Sequence, residues 1–140
     1  MQSEKKEKFS NISYAIALPF IYWIDMKKVY YLSTCDTCKR IMKSLNLEGF
    51  EQQDIKTEPI SEVQIEAMHK LSGSYESLFS KVARKYRALG LNEQNLSEED
   101  FKKYILEEYT FLKRPVFIID NQIFIGNSKK TVAVIAQVIG

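Results

Sequence analysis

Two cysteines separated by two residues, Cys35 and Cys38, stand between a short apolar run and a helical pattern. The run at residues 29–32 is β-branched and aromatic, which predicts a buried strand. Apolar residues then recur at helical spacing at Ile41 and Leu45. This order places both sulfur atoms at a helix N-terminus, where free N–H groups and the helix dipole favour negative charge. We therefore expect a lowered pKa for Cys35 and a redox function for the pair.

Two other interpretations of the cysteine pair stay open. A zinc site would need two further ligands at similar spacing, but the sequence has no other cysteine and a single histidine, His69. We expect no metal site, and we interpret His69 as a solvated or packing residue. Two buried, inert cysteines are the second interpretation, against which the polar residues Asp36 and Thr37 between them argue. In the redox interpretation the first cysteine attacks and Cys38 resolves the mixed disulfide.

The composition limits the classes of partner and compartment. A length of 140 residues predicts one domain, and an apolar content of 45% is ordinary for a globular protein with a core. A net charge of +2 is too small to indicate a nucleic acid or a membrane as a direct partner. Two cysteines without further partners favour a reducing compartment over a secreted disulfide scaffold. We expect a cytoplasmic protein that contacts neither nucleic acid nor membrane directly.

Residues 1–25 differ from the rest of the chain. A charged start precedes an apolar run from Tyr14 to Ile24, which is shorter than the roughly 20 residues that a bilayer requires. No small-residue cleavage site follows it, which argues against a signal peptide. We expect residues 1–25 to be an upstream extension, with the natural start at Met26, and residues 26–140 to form a single domain. An interfacial anchor is the alternative for the extension.

The remaining patterns predict a second strand, a helical insert, a β-hairpin and a final helix. Glu48 and Gly49 are expected to mark the end of the dithiol helix, since Gly is the preferred residue after a helix. Serine hydroxyls are expected to cap three later helices. In chain order the predicted elements are a strand at residues 50–55, a helix after Ser61, one or two short helices within residues 75–89, a helix from Ser97 to about Glu108, hairpin strands at 116–119 and 122–125, and a helix after Ser128.

Four short segments, together with this order of elements, resemble those of a known protein family. They are Cys35-Asp36-Thr37-Cys38-Lys39, Tyr86-Arg87-Ala88-Leu89-Gly90-Leu91, Leu112-Lys113-Arg114-Pro115 and Phe124-Ile125-Gly126. With the element order, they make the chain resemble the arsenate reductase family, which also contains the Spx regulators. The resemblance covers residues 26–140. It implies an α/β, thioredoxin-like fold with a four-stranded mixed sheet and a helical insert between the second and third strands.

The resemblance also assigns residues to a site. The family's nucleophile matches Cys35, and the arginine before the third strand matches Arg114, a partner for a thiolate or an oxyanion. Pro115 matches a proline that is typically cis and faces the active site. Two further arginines of family arsenate reductases are replaced by Ser80 and Asn127, with Lys81, Lys129 and Lys130 as nearby cations. A lysine lacks the bidentate fork of arginine, which weakens the case for arsenate.

Three functions follow from these features. The first is a monomeric thiol-disulfide oxidoreductase acting on a small oxyanion or a disulfide. It would use no bound cofactor and an external thiol reductant, either glutaredoxin with glutathione or thioredoxin. The second is a Spx-like redox sensor that binds RNA polymerase. The cluster of cations in the insert would offer it a patch for an acidic partner; these cations are Lys81, Arg84, Lys85 and Arg87. The third is a thioredoxin-fold protein whose chemistry has decayed.

Overall fold

The computed structural model describes residues 26–140 and contains one mixed β-sheet. Strand β1 (Lys27–Tyr31) runs parallel to β2 (Glu51–Asp54) and antiparallel to β3 (Val116–Ile119), and β3 forms an antiparallel hairpin with β4 (Gln122–Ile125). The order across the sheet is β2-β1-β3-β4. This confirms the predicted four-stranded mixed sheet with a helical insert between its second and third strands.

Three of the five α-helices in the described residues begin at the serines that the pattern predicts. The hydroxyl of Ser61 accepts from the Gln64 N–H at 3.1 Å, and that of Ser97 accepts from the Asp100 N–H at 3.2 Å. Ser128 likewise caps the last helix. The α-helices are α1 (Asp36–Lys43), α2 (Glu62–Ser72), α3 (Arg84–Ala88), α4 (Glu98–Glu107) and α5 (Lys129–Ile139), and single 3₁₀ turns lie at Glu76–Leu78, Leu91–Glu93 and Tyr109–Phe111.

The predicted end of the dithiol helix is wrong. Helix α1 ends at Lys43, several residues before Glu48 and Gly49. The hydroxyl of Ser44 donates to the Ile41 carbonyl at 2.7 Å, and its N–H also bonds carbonyls of the last turn. A serine that satisfies the final carbonyls in this way competes with continuation of the helix. The apolar residues beyond it belong to an irregular segment that packs on the core.

The side chains of the sheet alternate between two hydrophobic clusters, as strand geometry requires. On one face, Tyr30 and Ile118 belong to a large cluster with residues of α2 and α4. On the other face, Val29 and Phe117, which are paired across β1 and β3, pack with Ile135 of α5. Both faces of the sheet are therefore covered, and the loops at its ends remain open for a site.

The insert is fixed to the segment that precedes β3. The N–H of Ser80 donates to the Phe111 carbonyl at 2.7 Å, and the N–H of Lys113 donates to the Leu78 carbonyl at 2.8 Å. These bonds place Ser80 and its neighbours beside the residues that lead to Arg114. The predicted one or two short helices are a 3₁₀ turn and α3.

The expectation for residues 1–25 lies outside the described residues. Met26 is the first described residue, and its carbonyl accepts from the Asp120 N–H at 2.6 Å, which fastens the start of β1 to the hairpin turn. Within residues 26–140, no helix combines the length and the apolar character that a membrane span requires.

Candidate active site

Cys35 stands at the junction between the first strand and the first helix. It is the N-cap residue of α1, with an extended backbone, and its carbonyl accepts the first helical bond from the Lys39 N–H at 3.1 Å. Its own N–H donates to the Leu32 carbonyl at 3.0 Å, which holds the turn. The Cys35 thiol makes no capping bond of the serine type and is partly exposed. A partly exposed sulfur at a helix N-terminus can act as a nucleophile.

The surroundings of Cys35 lower the pKa of its thiol. Partial burial opposes this by desolvating the thiolate. The contributions that lower the pKa outweigh the effect of burial. The backbone N–H and the thiol of Cys38 donate to the Cys35 sulfur, the positive charge of Arg114 attracts the thiolate, and the N–H of Thr37 donates as well. The net result is a pKa below the ordinary value of 9.0. The thiolate fraction at neutral pH is therefore increased, as the sequence predicts.

Cys38 has the opposite character. Its side chain is fully buried in the first turn of α1. Burial, assisted by the neighbouring Cys35, raises the pKa of Cys38 to about 11, so this thiol is protonated at neutral pH. Both cysteines are free thiols. The pair thus combines one reactive, accessible sulfur with one protected, protonated sulfur within the same helical turn.

Arg114 lies immediately before the cis Arg114–Pro115 peptide bond at the entry to β3. Its Nη1 donates to the carbonyls of Thr110 and Leu112, each at 3.1 Å. Its Nε is buried and has no hydrogen-bond partner among the described residues. The guanidinium forms no ion pair with Glu108, whose carboxylate instead binds Lys85 at 2.7 Å. The guanidinium is held by main-chain oxygens, and its charge acts on Cys35.

An open cleft of about 530 Å³ joins Cys35 and Arg114. Ser80 and Asn127, which stand where family arsenate reductases have arginines, both line this cleft. The neighbouring cation Lys81 lines it as well. The expected cations Lys129 and Lys130 do not line the cleft. The remaining lining residues are Glu76, Ser77, Phe79, Val82, Lys113 and Gly126.

Sequence reasoning missed Glu76 and Lys113 in this cleft. Glu76 opens a 3₁₀ turn, and Lys113 stands one residue before Arg114 in an extended segment. Neither lies in a periodic pattern that marks a site. The signal that was available for Lys113 is its adjacency to Arg114, whereas Glu76 reaches the cleft through contacts that are distant in sequence.

His69 is a packing residue, as the sequence indicates. Its ring stacks on that of Tyr75, with centroids 4.1 Å apart, and it does not line the cleft. Among residues 26–140, no three side chains of the His, Cys, Asp and Glu types come together in a way that could hold a metal ion.

Comparison with known sequences relates this site to one family. The model of the ArsC family matches residues 30–135, which include both cysteines and Arg114. The "Global transcriptional regulator Spx 2" of Lactococcus lactis subsp. lactis (strain IL1403) is 22% identical over 110 residues, which cover 76% of this chain and 83% of that protein.

Comparison with solved structures gives the same fold. The protein SACOL0876 from Staphylococcus aureus COL is 26% identical, with a TM-score of 0.63, and the match covers 76% of this chain and 94% of that one. The arsenate reductase from Vibrio cholerae is 16% identical, with a TM-score of 0.62, and the match covers 83% of this chain and 98% of that one. The second match carries the fold alone.

Proposed function

The chain belongs to the ArsC family, and on that premise we propose that it is a thiol-disulfide oxidoreductase whose nucleophile is Cys35. One observation carries the proposal: a partly exposed thiol of lowered pKa opens into a cleft beside Arg114, while a second, buried thiol lies in the same helical turn. A structural cysteine pair has no need of an open cleft or of a neighbouring guanidinium.

The proposed first step is attack of the Cys35 thiolate on one sulfur of a substrate disulfide. A new S–S bond forms between Cys35 and that sulfur, and the other substrate sulfur leaves as a thiolate that takes a proton from water. Arg114, whose charge already acts on Cys35, is the group that stabilises negative charge in the cleft. Its Nη1 holds two carbonyls, while neither Nη2 nor the buried Nε bonds to the described residues, so Nη2 is the nitrogen through which it would bind a substrate anion.

The proposed second step uses Cys38. It gives its proton to water and attacks the sulfur of Cys35, which breaks the mixed disulfide, releases the second substrate sulfur as a thiolate and leaves a Cys35–Cys38 disulfide. The substrate disulfide is thereby reduced by two electrons and the protein dithiol is oxidised by two. The pKa of about 11 keeps Cys38 protonated until that step, which protects it from external oxidants. An external thiol reductant, glutathione with glutaredoxin or thioredoxin, then restores the dithiol.

Two features of the cleft support a disulfide rather than arsenate as substrate. Ser80 and Asn127 offer neutral groups where a dianionic oxyanion would be held best by guanidinium forks. Arg114 is the one arginine among the described residues that line the cleft, and its Nη1 is already bonded to the carbonyls of Thr110 and Leu112. We therefore place arsenate reduction, in which two thiols supply the two electrons that convert As(V) to As(III), second to disulfide reduction.

A turnover assay with the full chain tests this function. The substrates are 2-hydroxyethyl disulfide and, separately, arsenate, each with glutathione plus glutaredoxin or with thioredoxin and its reductase. We expect disulfide reduction above the rate of the reductant alone, loss of that increment in Cys35→Ser, and a smaller rate with arsenate. Absence of a Cys35-dependent increment with every pair would contradict the proposal.

A redox-sensing regulator of the Spx type is the second candidate. It is favoured by the relation to a named transcriptional regulator and by Arg84 and Arg87 on α3, which are exposed and form no ion pair within residues 26–140. RNA polymerase binding by the reduced and the oxidised protein would test it. A tenfold or greater difference in affinity between the two forms, without turnover in the assay above, would make the regulator the better description.

A further inference from the structure

The cleft that holds Cys35 contains a carboxylate, which is unexpected in a site that must stabilise thiolates. Its charged lining consists of the cations Lys81, Lys113 and Arg114 and one acid, Glu76. A negative charge there disfavours anions by Coulomb repulsion, and the effect persists within about 10 Å at ordinary salt. The presence of Glu76 therefore requires an explanation in terms of what the cleft accepts.

Glu76 is paired with the lysine of its own segment. The Nζ of Lys81 lies 2.6 Å from the Oε2 of Glu76, and both side chains are about half exposed. The hydrogen bond from Lys81 to Glu76 raises the pKa of the lysine. The Nζ also lies 5.8 Å from the centroid of the Phe101 ring. Lys81 therefore lines the cleft as one half of an ion pair, with its charge already matched by a carboxylate.

The backbone around this pair is held at both ends. At the start of the 3₁₀ turn, the carboxylate of Glu98 accepts from the N–H of Tyr75 at 2.6 Å and from the N–H of Glu76 at 3.1 Å. At the other end, the Ser80 N–H is bonded to the Phe111 carbonyl. Because the chain between these anchors is short, Glu76 and Lys81 are placed by the fold rather than by a free loop.

We propose that Glu76 is a specificity residue of the cleft: it holds Lys81 and adds its own negative charge, and so selects against small dianionic oxyanions in favour of substrates with an uncharged disulfide bond. The inference rests on the proposed function, since it names the substrate class of that same site. A disulfide brings no charge to its reacting atoms and needs only one stabilised thiolate at a time, for which Arg114 suffices. A dianion needs several free cations at once, and Glu76 removes one of them.

Sulfate is a suitable probe because it is an unreactive dianion. The experiment measures how sulfate slows the alkylation of Cys35 by uncharged iodoacetamide, at constant ionic strength, with the modified residue identified by mass spectrometry. The dissociation constant of sulfate comes from the concentration dependence of protection and does not depend on the starting rate. For Glu76→Gln we expect a dissociation constant at least about fivefold lower than that of the wild type, because one repulsive charge is removed and one lysine is released.

Two further variants separate the ion pair from a general change in charge. Glu93→Gln removes the same charge from an exposed residue that does not line the cleft, and it should leave sulfate protection unchanged. The double variant Glu76→Gln/Lys81→Gln should bind sulfate more weakly than Glu76→Gln alone, because the released lysine is then absent. Melting temperatures of all variants verify that each one is folded.

The outcomes distinguish this inference from the proposed function. Tighter sulfate binding in Glu76→Gln but not in Glu93→Gln supports the inference. The inference is overturned if the protection curves of Glu76→Gln and the wild type coincide, including the case in which both are flat. It is also overturned if the double variant binds sulfate as tightly as Glu76→Gln does. The alkylation assay requires no turnover, so failure of disulfide reduction with a positive sulfate result would remove the proposed function and leave the charge selection by Glu76 in place.

Discussion

The two sides of the cleft are built in different ways. On the dithiol side, Cys35 and Cys38 lie within one turn of α1, and the groups that lower the pKa of Cys35 are mostly local N–H groups and the Cys38 thiol. On the insert side, the residues around Glu76 and Ser80 are positioned by Glu98 and by the segment before β3, which are more than twenty residues away. The proposed reactivity therefore depends largely on local groups, whereas the proposed selectivity depends on tertiary contacts.

The two sides can therefore change separately. In the proposed function, a substitution on the insert side alters which molecules reach Cys35 without altering the sulfur's immediate hydrogen bonds, whereas the loss of Cys35 on the dithiol side removes the chemistry itself. Arg114 connects the two, because its carbonyl partners belong to the segment that pairs with the insert while its charge acts on Cys35.

The largest expected effect is the loss of the nucleophile on the dithiol side. Cys35→Ser should lower disulfide exchange by about three orders of magnitude or more, because a hydroxyl at this position cannot replace a thiolate. The matched control is Cys38→Ser, which should still complete the first step and accumulate one mixed disulfide at Cys35, seen as a mass increase. Comparable turnover by Cys35→Ser and the wild type would show that Cys35 is not the nucleophile.

The second effect concerns stability at high pH. The pKa of Cys38 is raised by burial from 9.0 to about 11, so its contribution to folding is fully present below pH 9.0 and is lost as the pH rises through 11. We expect the unfolding free energy of the reduced protein to fall by about 2 kcal/mol more than that of Cys38→Ser over this window. Denaturant titrations of both proteins at each pH measure the difference. Parallel profiles would show that the thiol is not buried as described.

The third effect concerns the link between the two sides. Arg114→Ala should raise the pKa of Cys35 and lower turnover by about tenfold, or roughly 1.4 kcal/mol of transition-state stabilisation. It should also lower stability, since the bonds to Thr110 and Leu112 are lost. Arg114→Lys is the control, because it keeps the charge and loses the fork. Equal pKa values of Cys35 in the wild type and Arg114→Ala would show that the guanidinium does not act on the thiolate.

The smallest expected effect tests the support of the insert side. Glu98→Ala removes the acceptor of the Tyr75 and Glu76 N–H groups and should cost about 1 kcal/mol of stability, as loss of a helix cap does. Glu99→Ala is the matched control, since Glu99 occupies the same first turn of α4 and accepts neither of these bonds. Thermal melts of the two variants should therefore differ by a few degrees. Equal melting temperatures would indicate that Glu98 does not hold the turn.

The parts of the molecule that sequence reasoning predicted are those with local causes. The serine caps of α2, α4 and α5 and the hairpin of β3 and β4 depend on a few neighbouring residues and appear where the patterns place them. Cys35 and Arg114, which the family resemblance assigns to one site, both line the cleft. The end of α1 was missed because apolar spacing continues past Ser44, whose hydroxyl closes the helix instead.

There is a physical reason why the insert side could not be predicted from the sequence. Glu76 and Lys81 are five residues apart, a spacing that brings side chains together on neither a helix nor a strand. Their contact arises because a 3₁₀ turn is followed by extended chain, and the turn itself is held by Glu98. A pattern of residue types along the chain contains no sign of such an arrangement.

The assignment of Cys35 as the nucleophile is tested most directly by the pH dependence of alkylation of the two cysteines in the reduced, full-length protein, with each cysteine followed separately by mass spectrometry. We expect Cys35 to react with a midpoint below pH 9.0, while Cys38 stays unmodified until the pH approaches its pKa of about 11. Because the thiolate is the reacting species, these midpoints report the two pKa values directly. A midpoint for Cys35 at or above 9.0, or modification of Cys38 before Cys35, would contradict the assignment of Cys35 as nucleophile.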